Sequence, residues 1–225
     1  NEVRLHTVGK PAPGVEVKIH ESGEILLRSE SVFAGYFKKP EASAEALEGG
    51  WLHTGDAGYL EENGQLVVLG RISEVMHTAG GERYVPNYIE NRLKFSPYIK
   101  DAAVVGAGRD ELTAMVCVDF EAVGHWAEVN GVPYVSYSDL SQRDEVAALL
   151  HEAFLRVNKA LTEPLQLKRF VSMPKEFDPD DGEITRTRKL RRKVVQERYV
   201  DVIAALYDGS KDVHVSAQVT YETGE

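Results

Sequence analysis

The sequence predicts an α+β protein: a small β-rich part up to about residue 72, then a compact α+β unit whose strands are covered by helices on one side. Three observations carry this. Short segments rich in β-branched residues and Leu, punctuated by Gly, fill the first third: "GVEVKIH", "GEILLRS" and "GQLVVLG". After Arg71, apolar strand-like runs alternate with helical patterns. One segment, "RDEVAALLHEAFLRVNKAL", keeps a clear i, i+3, i+4 rhythm through Val146, Leu149, Leu150, Ala153, Phe154, Val157 and Leu161.

The elements follow in order. Asn63-Gly64, before "QLVVLG", is a strong hairpin signal. "KKPEASAEAL" reads as a short helix opened by Pro40. "SEVMHTAGGERYVP" reads as two short strands around a Gly80-Gly81 turn. Pro86 then opens a helix with Ile89 and Leu93 on one face, and Pro97 ends it. "DAAVVGAG" and "LTAMVCVDF" are strands joined by a turn, and residues 121–129 form a short helix. "LKRFVSMP" is a further strand, and "KEFDPDDGEITRTR" a polar, flexible loop. A last helix runs from Leu190 with Val194, Val195, Tyr199, Val202 and Leu206 on one side, followed by a loosely held polar tail.

Composition narrows the function classes. The 225 residues, 43% hydrophobic, are enough to bury a core, and no apolar run approaches a membrane span. The net charge of -10 argues against nucleic acid and anionic membranes as general partners. The single cysteine, Cys117, sits in an apolar strand and reads as inert core; it fits a cytoplasmic setting. The histidines, His53 and His77 included, lack metal-ligand spacing. No signal-peptide pattern and no initiator Met open the chain, which reads as a piece of something longer.

Against that acidity, six of the eight residues from Arg186 to Lys193 are basic. Three readings fit: a solvated basic helix face formed by Arg191, Arg192 and Lys193, a nucleic-acid patch, or a phosphate-directed Lys189 where the loop meets the last helix. The acidic surroundings and the lack of interleaved aromatics weigh against the second. In "HTGDAG", Asp56 lies near two glycines and could accept paired hydrogen bonds from the vicinal hydroxyls of a ribose, with Arg71 closing the same hairpin. Taken alone, Asp56 reads as a turn cap, Arg71 as half of a surface ion pair, and Gly80-Gly81 as an ordinary turn.

Order and spacing add what the single motifs lack. "GEILLRSESVFAGYFKKP", "GWLHTGDAGYLEENGQLVVLGR", "ISEVMHTAGGERYVPNYIE" and "DGEITRTRKLRRKVV" together resemble the C-terminal part of the adenylate-forming enzymes, the AMP-dependent synthetases and ligases. The likeness runs from about residue 12 to 206, and "GGERYVPNYIE" and "GEITRTRKLRRKVV" are most similar to the long-chain fatty acyl-CoA synthetase branch.

The resemblance implies a two-step reaction. A fatty acid carboxylate attacks the α-phosphate of ATP, giving an acyl-adenylate and pyrophosphate; the thiol of CoA then displaces AMP. Asp56 and Arg71 would contact the ribose of ATP and AMP. Lys189 would bridge carboxylate and phosphate, and the turn Gly80, Gly81, Glu82 would line the thiol channel in the second step. Residues 1–72 would be the end of a large, incomplete N-terminal adenylation domain, and 73–225 a mobile C-terminal cap swivelling at Ser73, where the family usually has Asp or Lys. The residue before the lysine, often Gly in the family, is Arg188 here, which would add phosphate or substrate contacts. Mg²⁺ and most ATP contacts would belong to the missing N-terminal domain. The implied setting is cytoplasmic, with peripheral membrane contact left open. The alternatives are an adenylating enzyme with a carrier-protein acceptor and a non-catalytic binding or interaction module.

The family's Gly/Ser/Thr-rich phosphate loop has no counterpart among these 225 residues. The chain by itself is therefore expected to release no pyrophosphate from ATP and a fatty acid. Steady release in a coupled pyrophosphate assay of the pure chain would overturn this.

Overall fold

A computed structural model describes residue 4 and residues 6–208. The polar tail from residue 209 onward lies outside the described residues. The chain divides into two compact units, residues 1–76 and 77–225.

The first unit is built on a four-stranded antiparallel sheet in the order β1 (Glu16–Ile19), β2 (Glu24–Arg28), β3 (Leu52–Leu60), β4 (Leu66–Arg71). The β3–β4 hairpin turns at Asn63-Gly64: the Gly64 N–H donates to the Glu61 carbonyl, and Asn63 Oδ1 accepts from the Gln65 N–H. The sequence reading missed β3 as a strand, since "LHTGDAGYL" is broken by two glycines. Gly58 explains one of them. A Cβ there would lie 2.4 Å from the Val67 carbonyl oxygen, so only glycine lets the bulged strand close on β4. The short helix α1 (Pro40–Ala46) precedes β3 as expected.

The two-residue strand β5 (Met76–His77) straddles the division, and β6 (Arg83–Tyr84) and α2 (Pro86–Leu93) follow in the second unit. Its sheet holds β7 (Ile99–Val105), β8 (Leu112–Val118) and β9 (Leu167–Ser172). β7 and β8 are antiparallel, whereas β8 and β9 run parallel. A parallel neighbour needs a crossover, and α3 (Phe120–Asn130), α4 (Tyr137–Ser141) and α5 (Asp144–Asn158) supply it. The five-residue α4 was not expected; Ser136 caps it by accepting from the Asp139 N–H.

Helices on one side only is an expectation the structure corrects. Ala103, Val105, Met115 and Cys117 pack with Val195, Ile203 and Leu206. Alternate residues Ala102, Val104, Ala114 and Val116 point the other way and are also buried, and α2 packs along β7 and against α5. The unbroken apolar runs of β7 and β8 are what a sheet buried on both faces requires.

The single last helix is also corrected. It is two helices, α6 (Arg192–Arg198) and α7 (Val200–Tyr207), meeting at Tyr199 with φ -105° and ψ 32°. Lys189 therefore does not stand at a helix N-terminus. Nor are Arg191, Arg192 and Lys193 together a solvated face. Arg192 pairs with buried Glu90 of α2 at 2.7 Å (Nη1 to Oε1) and 2.9 Å (Nη2 to Oε2). That pair caps the open edge of β7. The Val104 N–H donates to Glu90 Oε1 at 2.7 Å, and the Val104 carbonyl accepts from Arg192 at 3.0 Å. Both backbone groups would otherwise be orphaned under a helix.

Removing one partner of such a pair leaves a buried charge uncompensated. Glu90→Ala is expected to lower the unfolding free energy by about 3–5 kcal/mol in urea titrations. Lys193→Ala, which breaks only an exposed pair with Glu197, should leave the midpoint unchanged. Equal effects of the two substitutions would refute the edge-cap account.

Candidate active site

Two groups of the expected site residues are each described within their own unit. In the first, Asp56 and Arg71 are direct cross-strand partners on β3 and β4. Their side chains meet at 3.3 Å, with Arg71 exposed and Asp56 half-buried. The backbone beside Asp56 is held firmly. Glu24 accepts from the Gly55 N–H at 2.8 Å and from His53 Nδ1 at 2.9 Å, and Thr54 Oγ1 donates to the Ile25 carbonyl. A largely solvated ion pair of this kind contributes little stability, and the direction of the carboxylate is set by the strand. Ser73 follows immediately, exposed, in a 3₁₀ turn (Ile72–Glu74).

In the second unit, Gly80, Gly81 and Glu82 form the turn between β5 and β6. The Gly81 N–H donates to the Thr78 carbonyl, and the Glu82 N–H to Thr78 Oγ1. Gly81 has φ +85°, a conformation that strains any residue with a Cβ. All three residues are exposed, and the turn is tied to the loop after β7 by the Ala79 N–H donating to the Arg109 carbonyl at 2.8 Å.

Lys189 lies on a short hairpin rather than on a flexible loop. An Ile184–Leu190 bridge closes it, the Thr185 N–H donates to the Lys189 carbonyl, and the Arg188 N–H donates to the Thr185 carbonyl. The Lys189 side chain is exposed and forms no ion pair or hydrogen bond among the described residues. Its base is fixed by Glu183, whose side chain is wholly buried. That carboxylate accepts from Tyr199 Oη at 2.7 Å, the Asp178 N–H at 2.9 Å, Arg198 at 3.2 Å and Lys175 at 3.3 Å. The Glu183 carbonyl accepts from the Arg191 N–H. Asp181 joins from the surface, paired with Lys175 and with Arg198.

These charges leave a mark on titration. Burial, reinforced by the bond to Glu183, raises the Tyr199 phenol far above its ordinary range. Hydrogen bonds from Lys175 and then Arg198 hold the Asp181 carboxyl below its ordinary value. Burial raises the Cys117 thiol well above its usual range, in keeping with inert core. Glu183, Glu90 and Asp101 escaped the sequence reading. Glu183 sits in a run of polar residues, and the only cue was the apolar Ile184 beside it.

Among the described residues no group of three or more His, Cys, Asp or Glu is arranged to hold a metal ion.

Residues 73–211 match the family model described as AMP-binding enzyme C-terminal domain. The chain belongs to that family. Among curated relatives, it is 36% identical over 209 residues to the long-chain-fatty-acid–CoA ligase FadD15 of Mycobacterium tuberculosis, covering 92% of this chain and 35% of the relative. It is 32% identical over 232 residues to the long-chain-fatty-acid–CoA ligase ACSBG1 of Mus musculus, covering 92% of this chain and 32% of the relative. The chain thus spans about a third of the length of these relatives. In fold it is similar to apo MatB from Rhodopseudomonas palustris, with a TM-score of 0.60 at 21% identity over 90% of this chain and 37% of that one. It is likewise similar to the adenylation domain of a carboxylate reductase from Mycobacterium chelonae, with a TM-score of 0.56 at 24% identity over 88% of this chain and 31% of that one.

Because the folded Asp181 carboxyl is the stronger acid, its contribution to stability is present above the ordinary carboxylate range and is lost as pH falls through the lower folded value. The urea midpoint of the parent chain should therefore drop more steeply between about pH 5 and about pH 2 than that of Asp181→Asn. Parallel curves would contradict this.

Proposed function

We propose that this chain is the C-terminal portion of an AMP-forming acid–thiol ligase that activates a fatty acid, long-chain by its relatives, as the acyl-adenylate and passes the acyl group to CoA. Residues 1–72 are read as the end of the large adenylation domain and 73–225 as its cap. The match of residues 73–211 to the family model supports that division. The single observation that carries the reading is Lys189: an exposed ammonium with no partner among the described residues, on a hairpin whose base is locked by a buried carboxylate.

The chemistry asks for such a group. In adenylation an anionic carboxylate must approach an anionic phosphate, and charge builds on the oxygens around phosphorus. An ammonium placed between them opposes the repulsion and fixes the approach. An ammonium already committed to an internal ion pair could not do this without breaking that pair. Asp56 supplies the matching acceptor for the two ribose hydroxyls, while Arg71 opposite it faces the ribose next to the phosphates. In the second step the exposed turn Gly80–Glu82 offers backbone without side-chain bulk to an extended thiol-bearing arm, and Ser73 serves as the hinge between the two steps. ATP and CoA are substrates in this reading, and Mg²⁺ would neutralise phosphate charge from ligands outside this chain.

A cytoplasmic setting belongs to the same proposal, supported by a single, buried cysteine. No described helix is long and apolar enough to cross a membrane.

In the full-length ligase, Lys189→Ala is expected to slow acyl-adenylate formation by about 10²- to 10³-fold. Thioester formation from supplied acyl-adenylate and CoA should be spared. Single-turnover assays of the two half-reactions decide it, and equal loss in both would count against the assignment.

A further inference from the structure

We infer that Arg188 and Asp101 form the anchor that aims Lys189, making Arg188 a positioning residue rather than a substrate contact. The inference rests on the reading of Lys189 proposed above. It starts from the backbone. Arg188 is one of only two non-glycine residues with positive φ among the described residues, at 58°. A hairpin that turns at residues 185–188 needs a left-handed residue there, and glycine takes that conformation without strain. An arginine in its place must be held by something else in the fold.

The structure supplies the hold. Arg188 Nη2 donates to Asp101 Oδ2 at 2.6 Å, and the Asp101 side chain is only 9% exposed. Asp101 lies just beyond a register shift at the start of β7, a strand buried at nearly every position. Its neighbour Lys100 binds Glu176, from the segment that leads into the hairpin, at 2.8 Å. The start of β7 thus grips the Lys189 segment at two points. One of them is the residue adjoining Lys189 in the chain. Lys189 itself is tied only through its backbone, by the Lys189 N–H to Thr185 Oγ1 and the Thr185 N–H to its carbonyl. The direction of its ammonium therefore depends on the conformation at 188, which the ion pair maintains. The expectation that Arg188 adds phosphate or substrate contacts is replaced by this one: its guanidinium is already engaged with a carboxylate inside the fold.

The test compares Arg188→Gly, which keeps the left-handed turn and removes the anchor, with Asp101→Asn and the double variant, all in the full-length ligase. Each single variant is expected to lower kcat for adenylation by about 10- to 100-fold, with KM for ATP and fatty acid unchanged. Thioester formation from supplied acyl-adenylate should be untouched, and the double variant should be no slower than the worse single one. A raised KM for ATP or acid in Arg188→Gly would overturn the proposal in favour of direct substrate contact. Wild-type adenylation in either single variant, or equal slowing of both half-reactions, would also overturn it. Should Asp101→Asn fail to fold, the kcat and KM values of Arg188→Gly decide alone. Lys189→Ala is assayed alongside: if it too adenylates normally, both readings fall. If it is crippled while Arg188→Gly behaves as wild type, only the anchor falls.

Discussion

The second unit depends on one buried carboxylate. Glu183 is enclosed on all sides, and an unpaired charge there would be prohibitively costly. It is tolerated because a phenol, a backbone amide, a guanidinium and an ammonium converge on its two oxygens. These donors come from different parts of the chain: Lys175 and Asp178 before it, Arg198 and Tyr199 after it. Satisfying them forces residues 175–199 to fold back around Glu183. The hairpin that carries Lys189 is the loop left projecting when that is done. A segment polar enough to be taken for a flexible tether is thereby held to a defined course.

The basic cluster that stands out in an acidic chain divides its labour accordingly. Arg192 is structural: with Glu90 it takes both edge-facing backbone groups of Val104 and closes the side of the sheet that has no strand beside it. Lys193 pairs weakly with Glu197 one turn on, and Arg188 reaches Asp101. Lys189 is exposed and makes no side-chain ion pair or hydrogen bond among the described residues.

The β-rich unit solves a simpler problem. Directly opposed positions on two antiparallel strands bring a carboxylate and a guanidinium together. A bulge and Gly58 set how closely those strands approach. The ion pair is largely solvated and contributes little stability. The backbone beside it is held by Glu24.

Much of this could be read from the chain alone. Helix α5 was legible because its apolar period is unmistakable over fifteen residues, and the Asn63-Gly64 hairpin because its turn chemistry is local. The family was legible from four ordered motifs. Strand β3 was not, because its glycines answer to a neighbouring strand. The break at Tyr199 was not, because its cause lies sixteen residues earlier at Glu183. The sequence by itself determined the periodic elements and the turns, since these depend on neighbours a few positions away. Tertiary structure alone decided which charges are buried, which are paired and which stay exposed. Desolvation and pairing depend on groups up to a hundred residues apart, and no local pattern records them.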